Sequence, residues 1–244
     1  MTRFEANKRP DLTPSPNQGV AMNTKLLAQA LIKAASGFIV MALLLFGPAG
    51  TIHWWQAWLL LGVLFAPMVI VGIVMLLKAP DLLRKRLNTK EQESQQKLVI
   101  ILSAVMFCAS FVAAAQGFRY GWPAFPDWLC WVGAAIFLAS YLLIAQVMRE
   151  NAFLSRTVEA QEGQKVIDTG MYGIVRHPMY AALFPLFLAM PITLGSPLGT
   201  AIMLFYIPII NIRIKNEEEV LTRELEGYAD YKQRMKWRLI PHIW

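Results

Sequence analysis

Charge is what this sequence lacks over most of its length. Only 16% of its 244 residues are Asp, Glu, Lys or Arg, against 56% hydrophobic. None of the four charged types occurs from Ala34 to Leu77, from Leu98 to Phe118, from Trp128 to Met148 or from His177 to Ile212. Runs of that length exclude an ordinary soluble domain and place the chain in the membrane class. Cysteine is also scarce. The two present, Cys108 and Cys130, lie inside charge-free runs with no metal-ligand spacing around them. That excludes a disulfide scaffold and a zinc site, and both are read as buried free thiols. The first residues, "MTRFEANKRPDLTPSPNQGVAMN", lack the apolar region of a signal peptide and read as a disordered lead-in over 1–23.

The apolar runs count out as spans. A helix needs about 20 apolar residues to cross the bilayer core. The first run holds two crossings, broken near "GPAGTIHWW", and the second and third hold one each. The fourth, interrupted by "PITLGSP", reads as a tight hairpin of two short crossings. The expected fold is therefore an all-α integral membrane protein of about six spans, with a cytoplasmic C-terminal helix and tail. Of the 23 Lys and Arg, only Arg119 falls in a segment placed outside by this count. The positive-inside rule then puts both termini and both long loops in the cytoplasm. Trp54, Trp55, Trp58, Trp122 and Trp128 cluster near the expected outer ends, as an aromatic belt does. The net charge of +7 belongs to the inner loops, and implies contact with anionic headgroups and no nucleic-acid binding.

Residues 24–127 read as scaffold, with three spans and one basic loop that is expected to include a short surface helix. The second half carries the polar clusters. "TVEAQEGQKVI" is patterned as a small hairpin with Glu162-Gly163 at its turn. "GMYGIVRHPMY" follows. Pro178 suits the first turn of a helix, and His177 before it is pushed toward extended geometry, at membrane-surface depth. After the hairpin comes "NIRIKNEEEVLTRELEGYADYKQRMKWRLIPHIW". Asn216 could cap a helix opening on Glu217, Glu218 and Glu219. Alternatively the helix continues unbroken from the span, with Arg213 one turn from Glu217. Gly227 is expected to end it, and Tyr228, Tyr231, Trp237 and Ile240 to anchor the tail at the surface. The topology returns Arg213, Glu217 and Glu218 to the level of Arg176, His177 and Tyr180. Three acids together at a membrane surface call for a cationic partner.

These motifs resemble the isoprenylcysteine carboxyl methyltransferase family, related to the membrane phospholipid methyltransferases. The family carries an Arg-His-Pro-x-Tyr element, a transmembrane hairpin, paired glutamates, and a glycine–tyrosine tail ending near a proline. Here these are Arg176, His177, Pro178 and Tyr180; Glu217 and Glu218; Gly227, Tyr228, Tyr231 and Pro241. The chain departs in having Gly170-Met171-Tyr172 for Gly-Pro-Tyr and Ala181 for glycine. The resemblance implies a methyltransferase-like core over 128–244. It implies methyl transfer from S-adenosylmethionine to a lipidic acceptor at the cytoplasmic face, without a metal. By position, Tyr172, Arg176, His177, Pro178, Tyr180 and Glu217 or Glu218 contact the cofactor. Arg213 orients an anionic acceptor, and an amine or phenol acceptor needs Glu217 or His177 to take its proton. The acceptor class stays open between a lipid carboxylate, a lipid amine and a phenol.

Two other readings compete. Membrane sterol reductases have a similar His-Pro-x-Tyr segment and use NADPH. They usually show asparagine where this chain has Met179, and the paired glutamates would repel the cofactor's 2′-phosphate. The other is a transporter or structural membrane protein without catalysis; transport would favour charge at mid-membrane, and every charged residue here falls in a loop or at a span end.

Overall fold

The computed structural model describes residues 16–78, 80, 83–84, 94–151 and 163–244. All the regular elements among them are helical. Helix α1 covers Pro16–Ala49, α2 Trp55–Lys78, α3 Ser94–Tyr120 and α4 Asp127–Glu150. After a 3₁₀ turn at Gly170–Gly173 come α5 (Pro178–Thr193), α6 (Pro197–Met203), α7 (Tyr206–Glu224) and α8 (Tyr228–Arg234). Helix α1 starts at Pro16, inside the stretch 1–23 expected to be a disordered lead-in, and residues 1–15 lie outside the described residues. The expected surface helix of the basic loop and the "TVEAQEGQKVI" hairpin lie mostly outside the described residues.

Among the described residues, five segments are long and apolar enough to cross a membrane: Leu26–Ala49, α2, Lys97–Tyr120, α4, and Pro197–Glu224, which joins α6 to α7. They make the chain a multi-pass membrane protein. The sixth expected crossing, α5, has only 16 residues. At 1.5 Å per residue it spans about 24 Å, short of a hydrocarbon core of about 30 Å. The hairpin itself is as expected. Gly195 supplies a left-handed residue at φ +74°. Ser196 then caps α6 by accepting the Gly199 N–H at 3.0 Å, and Pro197 takes the first helical position.

Large side chains on the outward helix faces, such as Leu43, Ile70 and Leu142, are exposed, as lipid-facing residues are. Two buried clusters hold the bundle. One gathers Leu45, Trp54, Leu60, Phe111, Phe137 and Leu186; the other gathers Met106, Tyr180, Tyr206, Ile210, Ile214 and Leu239. Trp54 is thus a core residue, stacked on Phe118, and not part of the belt; Trp55, Trp58, Trp122 and Trp128 are exposed. Cys130 is buried as expected, but Cys108 lies on the outer face of α3, where a thiol is apolar enough to meet lipid. Arg119, the one basic residue expected outside, donates to Pro48 O and braces the α1–α2 turn.

The close approach of α4 to α5 rests on Gly133. A Cβ there would stand 2.8 Å from Thr193 N and 2.9 Å from its hydroxyl. Neither can retreat, because the Thr193 hydroxyl is tied to Ala189 O at 2.8 Å within α5. Gly133→Ala is therefore expected to destabilise the protein by about 1–3 kcal/mol. Thermal unfolding in detergent checks this; an unchanged midpoint would mean that the two helices separate freely.

Candidate functional site

The site forms where α5 begins and α7 ends. His177 precedes α5 with φ −124° and ψ 63°, and its carbonyl accepts the Ala181 N–H at 3.0 Å, closing the first turn. Pro178 takes the first helical position, buried, with no N–H to satisfy. The other wall is α7, which runs through Asn216 without interruption. Of the two sequence readings, the unbroken helix is the observed one. Asn216 is buried mid-helix and caps nothing. The helix stops at Glu224, three residues before Gly227, whose φ of +80° turns the chain into α8.

Helical spacing then places Arg213 and Glu217 beside Tyr180. The Tyr180 hydroxyl donates to Glu217 Oε2 and accepts from Arg213 Nε at 2.8 Å. The Arg213 guanidinium also lies 5.8 Å from the Tyr180 ring centre. The His177 ring stacks on Tyr180 with centroids 5.7 Å apart, and His177 Nδ1 stands 4.0 Å from Glu217 Oε1. The Glu217 side chain keeps 23% of its surface exposed.

Glu218 is of another kind. It is 1% exposed and encircled by basic groups. One oxygen takes Arg176 Nε at 2.8 Å and His177 Nε2 at 3.2 Å. The other faces Arg238 Nη2 at 3.2 Å and Lys232 Nζ at 3.3 Å. Arg176 in turn donates from Nη1 to Met235 O and to Lys236 O. Buried charges persist only when paired and hydrogen-bonded, and here both are. The charge of Glu218 is thereby spent inside the protein, which weakens the repulsion of a phosphate expected from paired glutamates.

Sequence reasoning named Arg176, His177, Pro178, Tyr180, Arg213, Glu217 and Glu218, and the structure brings all seven together. Tyr172 is held differently. It is buried, its hydroxyl accepts from Asn151 Nδ2 at 3.0 Å, and its carbonyl accepts the Tyr231 hydroxyl at 2.8 Å. Lys232 and Arg238 were missed, because a basic tail reads as headgroup contact and no spacing signals a buried partner. Tyr228 and Tyr231 were misplaced at the surface. They are 5% and 3% exposed and pack with Leu225. Trp237 is half-buried and Ile240 exposed, as surface anchors are. The Tyr228 hydroxyl is buried without a hydrogen-bond partner. Its burial, with the Glu218 and Glu217 charges nearby, raises its pKa well above the ordinary phenol value, so it stays a neutral donor. The Asn216 side-chain amide nitrogen is likewise buried without a partner. No group of three or more metal-ligating side chains occurs among the described residues.

Residues 128–228 match the family model described as phospholipid methyltransferase. Among solved structures, the chain is similar to the eukaryotic intramembrane Ras methyltransferase ICMT (isoprenylcysteine carboxyl methyltransferase), solved without a monobody. The identity is 17% over 93% of this chain and 89% of that chain, with a TM-score of 0.47. No curated protein matches. The first of these matches spans nearly all of α4, the Arg176–His177 corner, the hairpin, both glutamates and Tyr228. Residues 128–228 of this membrane protein thus match a methyltransferase family model, as its motifs led one to expect.

Proposed function

We propose that the protein transfers a methyl group from S-adenosylmethionine to a lipidic acceptor at the cytoplasmic membrane face. The observation that carries this reading is the convergence of His177, Tyr180, Arg213 and Glu217 within the family-matched segment. The residues present fit such a cofactor. Glu217 offers a part-exposed carboxylate to a ribose or an ammonium group, and the His177 and Tyr180 rings flank it. Tyr228, near enough to Glu217 and Glu218 to feel both charges, brings a buried donor that lacks a partner. An unpaired buried donor is costly, by about 1–3 kcal/mol, and a ligand oxygen relieves it. Of the two glutamates, Glu217 is assigned to the cofactor, because Glu218 already meets four basic groups.

When bound, the cofactor supplies an electrophilic methyl group on a sulfonium. The protein's task is then alignment, which can contribute several kcal/mol to lowering a barrier. Arg213 orients an anionic acceptor such as a lipid carboxylate, which is ionised at neutral pH and needs no base. For an amine acceptor, Glu217 or His177 takes the proton. Burial at the membrane surface excludes water and strengthens each charge contact.

The first test is calorimetric titration of the detergent-purified protein with S-adenosylmethionine and with NADPH. Binding of S-adenosylmethionine alone supports the proposal. Binding of NADPH alone overturns it in favour of a reductase. Arg213→Ala is expected to leave the affinity for S-adenosylmethionine within about threefold and to lower turnover about 10–100-fold, as loss of a group acting on the acceptor does. Loss of cofactor binding in that variant would end its assignment as the acceptor clamp.

A further inference from the structure

The segment after α8 lies beyond the family match, yet it is tied to the motif at every level. Two main-chain bonds join them: the Arg176 N–H donates to Trp237 O at 2.9 Å and the His177 N–H to Arg238 O at 2.9 Å. The Arg176 guanidinium reaches Met235 O and Lys236 O, and Arg238 meets the far oxygen of Glu218. Leu239, 4% exposed, sits in the apolar cluster that contains Tyr180 and Ile214. The segment also closes on itself. The N–H groups of Arg238, Leu239 and Ile240 all donate to Trp244 O, at 2.9, 2.9 and 3.1 Å, and His242 takes the left-handed φ of 64° that such a tight return requires.

Arg176 and His177 lie between the 3₁₀ turn and α5, where neither N–H has a helical partner. A loop of this kind is ordered only by what it bonds to. Here that is the tail. We propose that Met235–Trp244 is a positioning strap for the Arg176–His177 corner, fastened by Arg238 to Glu218 and by Leu239 to the core. The strap fixes the His177 ring over Tyr180 and so sets cofactor affinity, its main chain bonding the corner and Arg238 acting through Glu218. The effect on affinity rests on the methyltransferase reading; the ordering of the corner does not.

Two substitutions separate the strap from plain electrostatics. Arg238→Gln removes a cation from Glu218 on the strap, and Lys232→Gln removes one from the same oxygen on α8. Hydrogen–deuterium exchange of the full chain in detergent, read at the Arg176 and His177 amides, is expected to rise about tenfold in Arg238→Gln. It should stay at the wild-type rate in Lys232→Gln and return to it in Arg238→Lys. In turnover assays Arg238→Gln is expected to raise the S-adenosylmethionine KM about tenfold with kcat within about twofold, because a loosened corner must be re-ordered at binding. A merely less stable enzyme would lose kcat instead. Unchanged exchange in Arg238→Gln, or an equal rise in Lys232→Gln, overturns the strap. Should the wild-type protein bind no S-adenosylmethionine, the methyltransferase reading falls, while the exchange comparison still decides the strap.

Discussion

Glu218→Ala is expected to destabilise the protein by about 3–5 kcal/mol, the usual result of breaking a buried pair by removing one partner. The side chains of Glu218 and Arg176 are 2% and 6% exposed. Without the carboxylate, Arg176 keeps its two carbonyl contacts to the tail but loses its countercharge. Lys232 and Arg238, with 39% and 27% of their side-chain surface exposed, can turn to water and recover part of the loss. Arg176 cannot, and it sets the size of the effect. For a chain of this length the midpoint in detergent should fall by about 10 °C. Glu218→Gln should fall about half as far, since an amide oxygen still accepts from one or two of the four donors. A midpoint within about 2 °C of wild type in Glu218→Ala would show that Glu218 is not the buried hub of this corner. The paired Arg176→Ala variant sharpens the test. If the two groups depend on each other, the double variant should be more stable than the two single losses added together.

How far the sequence led can be judged from particular residues. The charge-free runs became the helices because only a helix lets an apolar segment in lipid satisfy its backbone within itself. Gly195 and Pro197 gave away the hairpin because a left-handed residue and a proline leave the backbone few alternatives. Proximity of His177, Tyr180, Arg213 and Glu217 was legible because α5 and the α6–α7 segment form a hairpin that returns to its starting level. Asn216 was ambiguous for a physical reason: a good cap residue and a buried helical asparagine look alike until the neighbouring helices are placed. Tyr228 and Tyr231 failed in the same way. An aromatic–basic tail has one pattern whether its rings meet headgroups or turn inward, and Gly227 turns them inward. The ring of basic groups around Glu218 was out of reach, because Arg176 lies far in the chain from Lys232 and Arg238, and only the tertiary fold brings all three to one carboxylate.

Glu217→Gln should do the reverse of Glu218→Ala, sparing the fold and removing the ligand. Glu217 is the adjacent residue on the same helix, but its surroundings differ in the one respect that matters. Its described contacts are the Tyr180 hydroxyl and, at 4.0 Å, the His177 ring. A glutamine keeps an acceptor for Tyr180 and leaves no buried cation stranded, so the midpoint should move by no more than about 3 °C. What is lost is the negative charge on the part-exposed oxygen. A hydrogen bond to a charged group contributes about 1.5–3 kcal/mol, so the affinity for S-adenosylmethionine should fall by about 10–150-fold. Calorimetric titration reads this directly, and His177→Ala should weaken binding in the same direction. Wild-type affinity in both variants would remove the site proposed here, whatever the stability results. A loss of binding in Glu217→Gln with an unchanged midpoint, set beside a loss of stability in Glu218→Ala, would establish that the paired glutamates divide their work. One holds the ligand, and the other holds the corner against which the ligand is held.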